Sequence, residues 1–191
     1  MRKLKPDEIL AQRREGDSQL AHPLATILED VRSLYNVGSI FRTADAAGLR
    51  EVLLAGITGT PENRGLRKTA LGAELTMPWR HFASAASAIE AAEADGYRVA
   101  VLEITDRPRA LETLTLDDFP LCLVVGNEVK GVSQQAVALA DFAIEIPQFG
   151  HKHSINAAVA FGIAAFDLVR CYRRLCAEAP PSTRFRDIHE V

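Results

Sequence analysis

Three short segments of this 191-residue chain set glycines and polar side chains where an apolar run meets a helical pattern. The first, NVGSIFRTAD over 36–45, carries Asn36, Ser39 and Arg42. On a helix, a six-residue separation is about 1.7 turns, so Asn36 and Arg42 point roughly 120° apart and need not converge. An ion pair with Asp45 or Glu51 is the ordinary use of such an arginine, while its neighbours Ile40 and Phe41 lead us to expect it partly buried. The second segment, LVVGNEVKGVS over 123–133, runs from an apolar stretch straight into Gly126-Asn127-Glu128, and Gly131 follows before Ser133. Gly126 permits backbone angles closed to other residues, or the close approach of a ligand. Glu128, just past a strand end, is placed to accept hydrogen bonds, and two glycines around an Asn-Glu pair read as a binding loop rather than a plain turn. The third segment, IPQFGHKHSIN over 146–156, leads into the apolar run AAVAFGIA. His151 and His153 stand at i, i+2, but no Cys, Asp or third His accompanies them at zinc spacing, so no metal is expected. Ser154 suits a helix cap. Asn156 is harder to account for by stability alone, and the small residues beyond it let another helix or chain approach closely.

The elements that must hold these segments alternate in kind. Apolar runs at 24–28, 51–55, 79–82, 98–104, 121–125 and 142–146 read as strands, several of them apolar enough to be buried and parallel. Helical patterns occupy 36–47, with Gly48 just past the end, and about 84–95, with Ser84 as cap and Gly96 as stop. Others cover 133–139 and 154–176, and a short helical piece at 68–71 follows a loop over 56–67. This alternation argues an α/β fold with a mostly parallel sheet flanked by helices. Sheets of this kind put ligands at strand-to-helix junctions, where all three segments fall. No G-x-G-x-x-G follows the first strand and no G-x-x-x-x-G-K-[ST] occurs anywhere, so the usual nucleotide-cofactor readings lose their weight. Residues 1–20 read as a charged arm, 21–177 as one domain and 178–191, with Pro180 and Pro181, as a flexible tail.

Composition excludes several classes. With 48% hydrophobic and 25% charged residues, the chain is neither disordered, collagen-like nor a coiled coil. No apolar run approaches the ~18 residues of a membrane span, and the charged residues 1–8 lack the apolar stretch of a signal peptide. Cys122, Cys171 and Cys176 are too few and too irregular for a disulfide framework or a cysteine-based zinc site. A cytoplasmic globular protein is expected. The net charge of −3 argues against a polycation that coats nucleic acid, but not against local basic patches.

Taken together, the three segments resemble the three motifs of the SpoU/TrmH branch of the SPOUT-class RNA methyltransferases. The first motif of that family is an Asn followed six residues later by Arg, here Asn36 and Arg42. The second is Gly-Asn-Glu with a following Gly, here Gly126, Asn127, Glu128 and Gly131. The third is Ser-x-Asn after a Pro- and Gly-containing loop, here Ser154, Ile155 and Asn156. The segment 68–74, KTALGAE, also resembles one that lies between the first two motifs, and the match runs from about residue 24 to 170.

The resemblance implies more than the pattern does. It implies an α/β sheet whose C-terminal part is threaded into a trefoil knot, a rarity among folds. It implies S-adenosylmethionine as cofactor, with S-adenosylhomocysteine as product and no metal. The cofactor would be held largely through backbone groups at Leu123, Val125, Gly126, Asn127, Gly131, Ile146 and Ile155. It implies a homodimer with the third-motif helix, residues 159–165, in the interface. The implied reaction is methyl transfer to a ribose 2′-hydroxyl in structured RNA, with tRNA placed ahead of rRNA. Arg42 is then expected to bind the adjacent phosphate and orient the nucleophile, because a guanidinium of pKa above about 12 is a poor base. Asn36, Glu128, Ser154 and Asn156 would complete a hydrogen-bond frame around Arg42 and the ribose. Positive charge for the RNA is expected from Arg64, Arg67 and Lys68, from Lys130, His151 and Lys152, and from Arg2, Lys3, Lys5, Arg13 and Arg14 on the arm. Two alternatives remain: an RNA-binding protein that keeps the fold without turnover, and a metal hydrolase built on His151 and His153.

Overall fold

Six of the apolar runs become strands: Leu24–Glu29 (β1), Glu51–Ala55 (β2), Trp79–Phe82 (β3), Arg98–Leu102 (β4), Leu121–Val125 (β5) and Phe142–Ile144 (β6). They form one sheet in the order β3-β2-β1-β5-β4-β6 in a computed structural model that describes residues 1–5, 7–9, 21–152 and 154–179. Every neighbouring pair of strands is parallel. Such a sheet needs cover on both faces, and the side-chain alternation of β1 shows how it is met. Leu24 and Leu28 join one buried cluster, whereas Ala25 and Ile27 join the other.

The helices are Leu34–Ala47 (α1), Arg64–Ala70 (α2), Ala73–Thr76 (α3), Ala85–Ala94 (α4), Gln134–Leu139 (α5) and Ala157–Glu178 (α6). Phe41 of α1, Leu66 of α2 and Phe161 of α6 pack into the Leu24 cluster, while Ile89 of α4 and Ala136 of α5 pack into the Ile27 cluster. A side chain at Gly38 of α1 would collide with the Thr69 hydroxyl and the Leu66 carbonyl, so this glycine lets α2 lie directly against α1. Among the described residues, no helix is long and apolar enough to cross a membrane.

Five boundaries depart from expectation. Strands β4 and β6 each stop two residues early, at Leu102 and Ile144, because the apolar residues beyond them wall a cavity instead of extending the ladder. Helix α2 starts inside the expected loop, where Asn63 accepts the Gly65 N–H as a cap. Helix α1 starts at Leu34, capped by Ser33. Helix α6 starts at Ala157, and its cap is Asn156 rather than Ser154, with the Asn156 side chain accepting the N–H groups of Ala158 and Val159. Residues 10–20 of the expected arm (with Arg13 and Arg14), His153, and residues 180–191 of the expected tail lie outside the described residues.

Candidate active site

At the C-terminal ends of the central strands, side chains lock the connecting loops to one another. Asn127 follows β5 and works in two directions. Its amide nitrogen donates to the Asp30 carbonyl at the end of β1 (2.7 Å), and its oxygen accepts the N–H groups of Val129 (2.9 Å) and Lys130 (3.1 Å). The backbones of Asn127 and Gly131 exchange two hydrogen bonds, which closes the loop on itself. Gly131 holds a φ of +68°, open to glycine at little cost. Gly126 serves a close approach, but to its own chain: a Cβ there would collide with the Gly131 carbonyl and the Val132 amide. The far end of the loop is pinned by two carboxylates. Buried Glu29 accepts the Ser133 N–H (2.8 Å), and Glu103, just past β4, accepts the Val132 N–H (3.0 Å).

Glu128 joins this loop to α1 and through it to α6. Its two oxygens accept the N–H groups of Arg32 and Ser33 (both 3.0 Å) and the Asn36 side-chain amide (2.9 Å). Partial burial pulls the Glu128 carboxyl upward. The donors Ser33, Arg32 and Asn36 outweigh it and hold the group below the usual carboxylate range. The other end of the Asn36 amide accepts from the Asn156 amide nitrogen at 3.0 Å. Glu128, Asn36 and Asn156 thus form one hydrogen-bonded chain across all three sequence segments.

A cavity of about 360 Å³ opens beside this chain. Of the residues expected to hold a cofactor, Val125, Gly126, Asn127, Gly131, Ile146 and Ile155 line it, as do Glu128, Lys130 and Ser154. Leu123 does not. It sits inside β5, buried, with its carbonyl accepting the Thr26 hydroxyl (2.7 Å). The lining residues that sequence reasoning missed are chiefly Leu102, Glu103 and Ile104 after β4 and Glu145 after β6. The rule that ligands sit beyond the carboxyl ends of parallel strands would have pointed to them.

Arg42 is not part of this frame. It is exposed rather than partly buried, because Ile40 and Phe41 take the core-facing stripe of α1 and leave residue 42 about 100° further round. Among the described residues it makes no hydrogen bond or ion pair. Asp45 instead meets Thr76, and Glu51 is paired with Arg80. The arginine opens into a second cleft of about 450 Å³, shared with Ser39, Thr43, Lys68, Thr69 and Phe166. Arg64, Arg67, His151 and Lys152 are exposed and line neither cavity, and the Arg67 Nε donates to the Pro61 carbonyl. Arg2 is paired with Glu8. Among the described residues, no group of three or more His, Cys, Asp or Glu side chains stands together as a metal site.

Residues 23–166 match the SpoU rRNA methylase family. The chain belongs to that family. A Staphylococcus aureus (strain COL) protein assigned to the TrmH family of tRNA/rRNA methyltransferases is 31% identical over 166 residues, covering 86% of this chain and 64% of the relative. The chain therefore spans just under two thirds of that relative's length. An AdoMet-bound rRNA methyltransferase from Sinorhizobium meliloti superposes with a TM-score of 0.72 at 29% identity, over 80% of this chain and 57% of that one. A structure described as bearing on 2-OH methylation of C/U34 on tRNA covers 80% of this chain and 99% of its own, with a TM-score of 0.67 and 27% identity. The fold is that of the SPOUT methyltransferases, and the sheet and its flanking helices are those of the family.

Proposed function

We propose that this SpoU-family protein uses S-adenosylmethionine to methylate a ribose 2′-hydroxyl in structured RNA, with tRNA placed ahead of rRNA. We assign the catalytic unit to residues 21–177, with the trefoil threading of its family, and place it in the cytoplasm with its RNA. The observation that carries the reading is the chain Glu128–Asn36–Asn156, which ties all three motifs together at one cavity of about 360 Å³. That volume lies within the range of small-molecule sites. The apolar walls formed by Leu102, Val125, Ile146 and Ile155 suit a nucleoside, and the carboxylates of Glu103 and Glu145 favour a cationic ligand. When bound, S-adenosylmethionine would supply a methyl group already activated on a sulfonium.

The protein's own part is then alignment and control of charge. Asn127, Gly126 and Gly131 set the loop shape, and Glu128 and Asn36 hold that loop against α1. Arg42, unpaired among the described residues and beside Lys68, is the cation offered to an RNA phosphate. It stays charged, so it orients the ribose rather than taking its proton. A homodimer fits the exposed apolar side of α6, where Val159 is 53% and Phe166 39% exposed. Phe166 borders the Arg42 cleft, so a second copy seated there would bring its own residues to the arginine. Incubation with methyl-labelled S-adenosylmethionine and total RNA from a strain lacking the gene tests the reading. Label should enter RNA. A dimer that binds the cofactor but transfers nothing to any RNA would instead support the non-catalytic binder.

A further inference from the structure

We propose that the Glu103 carboxylate receives the ribose diol of the nucleoside cofactor. The inference rests on the S-adenosylmethionine reading above and concerns one residue that none of the three motifs contains. Glu103 follows β4, and its side chain lines the cavity. One oxygen accepts the Ile104 N–H (2.8 Å), and the other accepts the Val132 N–H (3.0 Å). An ionised carboxylate offers about four lone-pair sites and no donor. Two are filled by these amides, which fix the group in place. The remaining two require partners that donate, and two adjacent hydroxyls are such a pair.

Position favours the same assignment. The hydrogen-bonded chain of Glu128, Asn36 and Asn156 joins the segments that follow β1 and β5 to the start of α6, whereas Glu103 follows β4, the next strand along the sheet from β5. If the methyl group reacts beside that chain, the neighbouring part of the ligand over β4 is the ribose that carries the sulfur. Glu145 lines the same cavity and follows β6, the strand paired with β4, so an anionic group such as the methionine carboxylate is repelled from this side.

The test compares binding of S-adenosylhomocysteine and its 2′,3′-dideoxyribose analogue by calorimetry, in the full chain and in Glu103→Gln. The glutamine keeps a carbonyl oxygen for the Val132 N–H, so the loop keeps its anchor. The unsubstituted protein should prefer the diol by at least about tenfold, and the variant by less than about threefold. A merely structural Glu103 would weaken both ligands equally and leave the ratio intact, which overturns the inference. So does a wild-type ratio below about threefold, whether or not the variant folds. A variant that instead stops discriminating against an N6-dimethyladenine analogue moves the contact to the base and also overturns it. If the wild-type protein binds neither S-adenosylhomocysteine nor S-adenosylmethionine, it is the cofactor reading itself that fails.

Discussion

Glu128→Gln separates the anchoring role of the carboxylate from any role in proton transfer. Glu128 accepts three N–H donors, from Arg32, Ser33 and Asn36, so its charge is spent on holding the β5 loop to the start of α1. A hydrogen bond to a charged acceptor is worth about 1.5–3 kcal/mol when dry. Glu128 is exposed, and solvent-screened charge interactions fall to about 1 kcal/mol or less. Glutamine keeps one acceptor oxygen and turns an amino group toward the remaining donor, so a net loss of about 1–2 kcal/mol is expected. For a chain of this size that lowers Tm by roughly 3–6 °C. The sign with pH follows from the folded carboxyl lying below its ordinary value. The stability it adds is fully present above its unfolded pKa of about 4.3 and is lost as pH falls through the lower folded pKa. The gap in Tm between wild type and variant should therefore be widest near neutrality and close below about pH 4. Calorimetric melts across that range check it. Equal Tm values at pH 7, or a gap that persists in acid, would refute the anchoring argument.

Arg42→Ala should abolish methyl transfer while changing the cofactor Kd less than about threefold, since the arginine lies outside the cofactor cavity; parallel transfer assays and titrations check both halves. Asn156→Ala removes the cap of α6 and should cost about 1 kcal/mol. Asn156→Asp keeps the cap but loses the donor to Asn36, so its melt should stay near wild type while transfer falls in both variants. Gly126→Ala drives a methyl into the Gly131–Val132 backbone and should destabilise the fold by about 2 kcal/mol or more while weakening cofactor binding, as read by denaturant titration and calorimetry.

Much of this architecture was legible because buried parallel strands are written as continuous apolar runs, such as Leu121–Val125. The same property misled at Ile146, whose apolar side chain walls a cavity rather than extending β6. Ser154 suits the cap of the last helix by its type, and Asn156 is hard to account for by stability alone. Asn156 is the cap instead, because the backbone turns helical only at Ala157, a path that residue type alone does not set. The three motifs marked the loop contacts, with Asn36 meeting both Glu128 and Asn156. Helical spacing already showed that Arg42 need not face Asn36, and the two do open to different places. The strand-end rule points to Glu103 and Glu145 one by one, but their meeting in one cavity depends on β4 pairing with β6, a long-range neighbour relation that no local pattern encodes.

The central claim is the atom that receives the methyl group. Digestion of the labelled RNA to nucleosides, followed by mass spectrometry, reads it directly. The account predicts that the added mass stays with the sugar fragment, as a 2′-O-methylated nucleoside, and disappears with Arg42→Ala. A methyl group on the base, with the ribose unmodified, would contradict it.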